Sequence, residues 1–296
     1  MEPTNPLLDD FVLSLSRRQP ARVCFVPTAS ADSATYLLSF YRVFSGRCIP
    51  TDLTLFDSPL LTRRPARTSE LAAFVGEQDV IYVGGGSTAN LLAVWRAHGL
   101  DVILRDAWSN GIVLSGVSAG MVCWFNGGLT DSYGSVERLS QGLALIDASA
   151  CPHYSGSEER RRVDHRTIAD AEMEPGYAVD DGAALHFAGT ALAEAVSSRP
   201  EAGAYRVDRL EGRVVETRLP IRFLGAGSGT SAGPTHSPKL HDDSDLVRVG
   251  RGSLITVVIW PHGARTFEGH GAGSGLGSRK GAPKARRRSG LGARVG

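Results

Sequence analysis

Ser118 lies in a pattern that could activate a serine hydroxyl. The segment Ile112-Val-Leu-Ser-Gly-Val-Ser-Ala-Gly120 puts this residue after an apolar strand candidate, with glycines at 116 and 120. This Gly-X-Ser-X-Gly spacing is typical of a nucleophile elbow, where a strand turns directly into a helix and only small neighbours avoid the adjoining backbone. The turn also directs the N–H of Ala119 at a developing oxyanion. The pattern predicts a nucleophilic serine; a purely structural Gly-Ser turn is the alternative.

A second glycine-rich loop could contribute further donors. The segment Val83-Gly-Gly-Gly-Ser-Thr88 follows another apolar strand candidate and opens a helix. We expect Gly85, Gly86 and Ser87 to hold the oxyanion or a substrate carboxylate. Phosphate or dinucleotide binding is disfavoured, because neither GxGxxG nor Walker spacing is present. A tight structural turn is the remaining alternative.

A serine hydroxyl needs a base, and His153 is the best candidate. It lies in Ala150-Cys-Pro-His-Tyr154, after an apolar stretch and ahead of a charged helix. The other histidines fall on predicted solvent-facing helices, at a core or sheet-edge position, or in the C-terminal tail: His98, His165, His186, His236, His241, His262 and His270.

Three aspartates are candidates for the acid that orients this histidine. Asp131, Asp180 and Asp181 all occupy loop-like positions at the ends of apolar stretches. Sequence spacing does not choose among them. An aspartate at such a position can equally cap a helix or stabilise a turn.

The elements around these residues alternate between strand and helix. Such alternation is typical of a parallel sheet with helices on both faces, so the sequence predicts an α/β fold. A later pair of strands is expected to form a hairpin, with Arg209, Glu211 and Gly212 in its turn. Strands are predicted over 22–28, 52–56, 80–83, 112–115, 177–179, 192–197, 204–207 and 214–219, and helices over 33–44, 70–75, 88–98, 101–110 and 158–169.

Composition limits the classes of partner. The 296 residues include 32 basic and 31 acidic side chains, and this balance favours neither nucleic acid nor another polyanion. The N-terminus lacks a signal-peptide pattern, and no uncharged run approaches the roughly 20 residues of a membrane span. The four cysteines are too scattered for a zinc ribbon, a CxxC pair or a disulfide framework, and they suit a reducing cytoplasm. They are Cys24, Cys48, Cys123 and Cys151.

The chain divides by composition near residue 224. Residues 1–224 are predicted to form the α/β hydrolytic domain, and 225–296 a largely disordered extension rich in Gly, Ser and Arg. The basic run Arg286, Arg287 and Arg288 is interpreted as solvated rather than as a nucleic-acid site. One apolar stretch, 253–260, is a strand candidate without an obvious partner.

Four ordered motifs together resemble peptidase E, the aspartyl dipeptidases, with cyanophycinases as more distant relatives. The resemblance runs from about residue 22 to 224 and implies a class I glutamine-amidotransferase-like three-layer α/β sandwich, with serine replacing cysteine at the elbow. The motifs are Val83-Gly-Gly-Gly-Ser-Thr88, Gly116-Val-Ser-Ala-Gly120, Cys151-Pro-His-Tyr154 and Val179-Asp-Asp-Gly-Ala-Ala-Leu185.

The resemblance also implies roles for single residues. Ser118 becomes the nucleophile and His153 the base, in agreement with the assignment made from the residues alone. Cyanophycinase-like relatives place the acid in the segment that matches Asp180-Asp181, whereas peptidase E has been assigned an aspartate near Asp131. We rank Asp181 slightly ahead. One departure is Ser87, which stands where the family usually has asparagine and bears on substrate specificity.

The implied activity is hydrolysis of short peptides after an N-terminal aspartate, without metal or cofactor. A cationic side chain would bind the substrate carboxylate; Arg160, Arg161 and Arg162 follow the base closely, although a solvated helix face explains at least two of them. We expect a small peptide substrate, no nucleic-acid or membrane partner and a cytoplasmic location, and we leave homodimerisation open. The alternatives are an esterase or amidase on another small substrate, and a non-catalytic binding domain of the same fold. Glutamine amidotransfer is disfavoured because no cysteine occupies position 118.

Overall fold

The structure is a computed structural model that describes residues 1–56, 68–225 and 254–258. The helices are α1 (Leu7–Ser14), α2 (Ala34–Phe44), α3 (Thr68–Gly76), α4 (Thr88–His98), α5 (Leu100–Ser109), α6 (Ala119–Val122) and α7 (Glu158–Ala169). The strands are β1 (Arg22–Val26), β2 (Ile49–Asp52), β3 (Val80–Val83), β4 (Val113–Val117), β5 (Phe125–Thr130), β6 (Glu137–Leu139), β7 (Ile146–Pro152), β8 (Gly176–Val179), β9 (Ala183–Ala188), β10 (Ala191–Ser197), β11 (Ala204–Leu210), β12 (Arg213–Arg218), β13 (Ile221–Phe223) and β14 (Leu254–Val258).

The described strands form two sheets. The larger has the order β13-β10-β9-β14-β4-β3-β1-β2, and the smaller has the order β12-β11-β8-β7-β5-β6. From β14 to β2 every neighbouring pair of the larger sheet is parallel. In the smaller sheet β5, β7 and β8 are parallel. The carboxyl ends of parallel neighbours meet at one edge, so the loops that follow them lie close together.

Burial of both faces explains why the central strands are apolar throughout. Along β1, Val23 and Phe25 pack in a cluster with α1 and α2, whereas Cys24 and Val26 pack in a cluster with α3, α4 and α5. Successive side chains of a strand point to opposite faces, so a strand between two helical layers needs an apolar residue at every position. The predicted parallel sheet with helices on both faces is confirmed.

Most predicted elements are found, and one is misplaced. The strand 80–83 and the helices 88–98 and 158–169 have the predicted bounds. The strand predicted over 52–56 is wrong: β2 ends at Asp52. The amides of Leu55 and Phe56 instead donate to the carboxylate of Asp32, at 2.7 and 2.8 Å, and so join no neighbouring strand. The predicted hairpin turn is present, with positive φ at both Glu211 and Gly212 as a type I′ turn requires.

A strand from beyond the expected domain boundary lies in the centre of the larger sheet. β14 is parallel to β4 and antiparallel to β9, and its Ile255 and Thr256 are fully buried. The apolar stretch predicted without a partner therefore lies beyond residue 224 in the chain and pairs with two central strands of the sheet. Residues 226–253 and 259–296, where disorder was expected, lie outside the described residues.

Candidate active site

The elbow and the glycine loop leave adjacent parallel strands. β3 pairs with β4 so that Val83 lies opposite Gly116. The loop that follows β3 and the residue that follows β4 therefore emerge side by side. A Cβ atom placed on Gly85 would lie 3.4 Å from the Cβ atom of Ser118, so the loop backs directly onto the serine.

Ser118 has the strained backbone that the elbow pattern predicts. Its φ is 55° and its ψ is −108°, a conformation that non-glycine residues rarely adopt. The backbone around it is too close for side chains. A Cβ atom on Gly116 would lie 2.1 Å from the carbonyl oxygen of Gly120, and one on Gly120 would lie 2.4 Å from that of Val83. The two glycines therefore permit the turn that holds the serine at the edge of the sheet.

The helix after the serine is short. α6 is a single turn, and β5 begins at Phe125. Because α6 is so short, it has no large helix dipole. The individual backbone N–H groups at its start therefore contribute more to stabilising an oxyanion. The first amides of a helix have no partner within it, which leaves the N–H of Ala119 directed outward beside Ser118.

The residues of the glycine loop differ in their hydrogen-bond partners. Among the described residues the amide of Gly86 has no hydrogen-bond acceptor, while that of Gly85 donates to the hydroxyl of Tyr36 at 3.3 Å. Ser87 begins α4 as its N-cap: its Oγ accepts from the amide of Asn90 at 3.3 Å, and its own amide donates to a carbonyl. Of these two amides, that of Gly86 is therefore the one without an acceptor in the described part of the chain, and Ser87 acts here on the helix. Tyr36 was not singled out by sequence, because no local pattern links α2 to this loop.

A histidine and an aspartate from the smaller sheet complete a chain of contacts. His153 follows β7 and Asp181 follows β8, and these strands are parallel neighbours with Pro152 opposite Val179. His153 Nε2 lies 3.0 Å from the Oγ atom of Ser118, and its Nδ1 lies 2.5 Å from Oδ1 of Asp181. With Nδ1–H donating to the carboxylate, Nε2 can accept the serine proton. The histidine side chain is 6% exposed and that of the aspartate 24%.

The other candidate acid has a different partner. Asp131 follows β5, and its Oδ2 accepts from Nη2 of Arg160 at 2.9 Å. The arginine is buried, with 6% of its surface exposed, whereas the side chain of Asp131 is 56% exposed. The structure therefore brings Asp181, and not Asp131, to the imidazole. Arg161 and Arg162 lie on the exposed face of α7.

Neither thiol near the site is suited to be a nucleophile. Burial raises the pKa of the Cys123 thiol well above its ordinary value. It does the same for the Cys151 thiol, with the negative charge of Asp164 as a further cause. Thiols held neutral in this way are unreactive. Within the ranges that the structure describes, no group of three or more His, Cys, Asp or Glu side chains could hold a metal ion.

A serine at a strand-to-helix elbow, with a histidine on its hydroxyl, is the arrangement of α/β serine hydrolases. The fold and this site define a protein of that class. Residues 1–195 match peptidase family S51. The chain therefore belongs to that family and is a serine-type peptidase.

Relatives that are similar to the chain include two peptidases. The peptidase YgaJ of Bacillus subtilis (strain 168) is 48% identical over 226 residues, which cover 76% of this chain and 94% of the relative. The peptidase Lin0382 of Listeria innocua is 29% identical over 171 residues, covering 56% and 78%. Both relatives are uncharacterized.

One solved structure that is similar to the chain is a peptidase from an acI-B1 Actinobacterium. It superposes with a TM-score of 0.53 at 17% identity, covering 73% of this chain and 89% of that one. At this identity the likeness bears on the fold alone. The expected glutamine-amidotransferase-like α/β fold is confirmed. No helix among the described residues has the length and apolar character needed to cross a membrane.

Proposed function

We propose that this peptidase hydrolyses dipeptides and other short peptides that begin with aspartate, through Ser118, His153 and Asp181. The observation that carries the proposal is the unbroken contact from carboxylate to imidazole to the hydroxyl of a strained elbow serine. Each member has the partner that its role needs: the acid holds one imidazole nitrogen, and the other nitrogen faces the nucleophile. A cytoplasmic location is part of the proposal, and four free, buried cysteines support it.

The reaction proceeds in two halves. Ser118 Oγ attacks the scissile carbonyl carbon while His153 Nε2 takes the hydroxyl proton, and the carbonyl π electrons move to oxygen. The amides of Gly86 and Ala119 donate to that oxyanion. Collapse of the tetrahedral intermediate breaks the C–N bond, and the imidazolium gives its proton to the leaving amine. Water then attacks the acyl-serine by the same route and releases the amino acid.

Arg160 supports an acidic substrate. Its Nη2 is bonded to Asp131, but Nη1 is buried and has no acceptor among the described residues. A buried guanidinium N–H without an acceptor is costly, and a carboxylate is the group that satisfies it best. The residues on either side of its partner Asp131 contact the helix that follows the glycine loop. Thr130 donates to Thr88 at 3.3 Å and Ser132 accepts from Ala89 at 3.2 Å, both in the first turn of α4.

Release of amino acid from a dipeptide panel tests the reaction. The panel compares Asp-Leu with Glu-Leu, Asn-Leu and Ala-Leu, for the wild type and for Ser118→Ala. Cleavage of Asp-Leu that is abolished by the substitution supports the proposal. If no dipeptide is cleaved but activated esters are, an esterase or amidase is indicated. If neither is cleaved and Ser118 resists a fluorophosphonate, the chain is a binding domain of this fold.

A matched pair of arginine variants tests the specificity. Arg160→Met keeps the apolar stem but removes the donors, and a bond to a charged group is worth about 1.5 to 3 kcal/mol, so kcat/KM for Asp-Leu should fall by about 10- to 100-fold. The activity on Ala-Leu should change little. Arg162→Met removes an exposed charge from the same helix and should leave both unchanged. Equal losses on both dipeptides in the Arg160 variant would exclude a role in selecting aspartate.

A further inference from the structure

Asp180, the residue before the proposed triad aspartate, has a buried carboxylate with three donors. It is 7% exposed. Its Oδ1 accepts from the amide of Ser155 at 3.0 Å, and its Oδ2 accepts from the amide of Gly203 at 2.9 Å and from the hydroxyl of Tyr205 at 3.3 Å. Both oxygens of this buried carboxylate therefore accept hydrogen bonds, as a buried anion requires.

The Asp180 carboxylate and the Tyr205 hydroxyl lie too close to the backbone of residue 203 for a side chain there. A Cβ atom on Gly203 would lie 3.1 Å from Oδ2 of Asp180 and 2.7 Å from the hydroxyl oxygen of Tyr205. The backbone of Asp180 is held as well, since its amide donates to the carbonyl of Gly203 at 2.9 Å. Asp180 is thus held by hydrogen bonds to residues at the start of β11.

The remaining bond reaches the segment that follows the proposed base. His153 has a φ of 57°, a strained conformation for a non-glycine residue that persists only where neighbours hold it. The next two amides are both held by the end of β8: Tyr154 N–H donates to the carbonyl of Val179 at 3.1 Å, and Ser155 N–H donates to Asp180. The strained conformation is fixed against the strand from which Asp181 also emerges.

We propose that Asp180 is a positioning residue for the site. Its carboxylate holds the His153 segment in register with the Asp181 turn, so that the imidazole keeps one nitrogen on the acid and the other on Ser118. The role rests on the proposed function in taking these three residues as the reacting groups. A residue that only stabilised the fold would change the free energy of unfolding and leave the reactivity of the serine alone.

Asp180→Asn in the full chain tests this role. Asparagine has the same shape, but its NH2 group would face an N–H or O–H donor. The hydrogen bonds to one of the two carboxylate oxygens are therefore lost. Displacement of a catalytic group can cost about 100-fold, and we expect kcat to fall by about 10- to 100-fold with KM nearly unchanged. The rate at which a fluorophosphonate labels Ser118 should fall by the same factor. The downfield proton resonance of the His153 Nδ1–H group should shift or broaden.

Asp79→Asn is the matched control. The Asp79 carboxylate also accepts from a backbone amide, that of Arg22 at 2.8 Å, but it does so at the amino ends of the strands, away from the elbow. This variant should lose stability while kcat, labelling rate and the proton resonance stay as in the wild type. A folded Asp180→Asn protein with wild-type values of all three would overturn the proposal.

Tyr205→Phe decides the question if the Asp180 variant does not fold. It removes a single donor to Oδ2, and the labelling rate should fall by about two- to tenfold; an unchanged rate overturns the role. Labelling of Ser118 needs no peptide. If the wild type is labelled but cleaves no dipeptide, the proposed substrate is refuted, and the labelling rates of the variants still test the role of Asp180. If the wild type takes no label, the nucleophile is refuted and the His153 resonance decides the positioning.

Discussion

Replacing Asp181 with asparagine tests its role against that of Asp131, the other acid that the family resemblance implied. The change removes the charge that faces His153 Nδ1 at 2.5 Å and keeps the size of the side chain. Two unit charges about 4 Å apart interact by about 4 kcal/mol at the effective dielectric of a partly exposed site. The imidazolium forms only as the reaction proceeds, so this energy is lost from the transition state. We therefore expect kcat to fall about 1000-fold.

The assay is steady-state cleavage of Asp-Leu, with fluorophosphonate labelling of Ser118 as a readout independent of the peptide. Asp131→Asn is the matched control. Its carboxylate contacts Arg160 at 2.9 Å, so the variant should change KM for an acidic substrate more than kcat. A thousandfold loss in the Asp131 variant, together with an active Asp181 variant, would refute the reasoning.

Three further predictions concern the fold around the site. Burial raises the pKa of Asp164 to about 7 from its ordinary 3.8, so the folded state retains a proton that the unfolded chain has lost, and stability falls as the pH rises through this window. Asp164→Asn should raise the free energy of unfolding in urea by about 2 to 4 kcal/mol near pH 8 and far less near pH 4; a gain independent of pH contradicts this. Gly120→Ala puts a Cβ atom 2.4 Å from the carbonyl oxygen of Val83, so thermal melting should show a loss of about 1 to 3 kcal/mol together with a loss of Ser118 labelling; unchanged labelling would count against the elbow. A chain cut after residue 225 loses β14 from between β4 and β9 and should fail to fold, unlike one cut after residue 261; a cooperative melt of the shorter chain would contradict the sheet order.

The serine elbow and the glycine loop could be predicted because each is a local pattern. Gly116 and Gly120 are needed where one turn brings backbone atoms of neighbouring residues together, and that need is visible within five residues of sequence. Helix α7 could be predicted for the same reason: Ser157 caps it, and two glutamates occupy its first turn. Interactions over short chain separations leave short sequence signatures.

The orienting acid could not be chosen in this way. In the smaller sheet β7 lies between β5 and β8, so Asp131 and Asp181 both follow a strand adjacent to that of His153. Either acid is compatible with the sequence order. Which one faces the imidazole depends on how each loop turns after its strand, and on Arg160, which pairs with the first of them.

The sequence by itself determined the alternating α/β pattern, the buried strands and the nucleophile elbow, because apolar periodicity and glycine placement act within single elements. The tertiary structure decided the place of β14, the partner of each acid and the hydrogen bonds to the Asp180 carboxylate. These depend on groups far apart in the chain: β14 pairs with β4 across more than a hundred residues, and Asp180 bonds to Ser155 and Gly203. No local pattern specifies such partners, since they are selected only when the packed strands bring their ends to one edge.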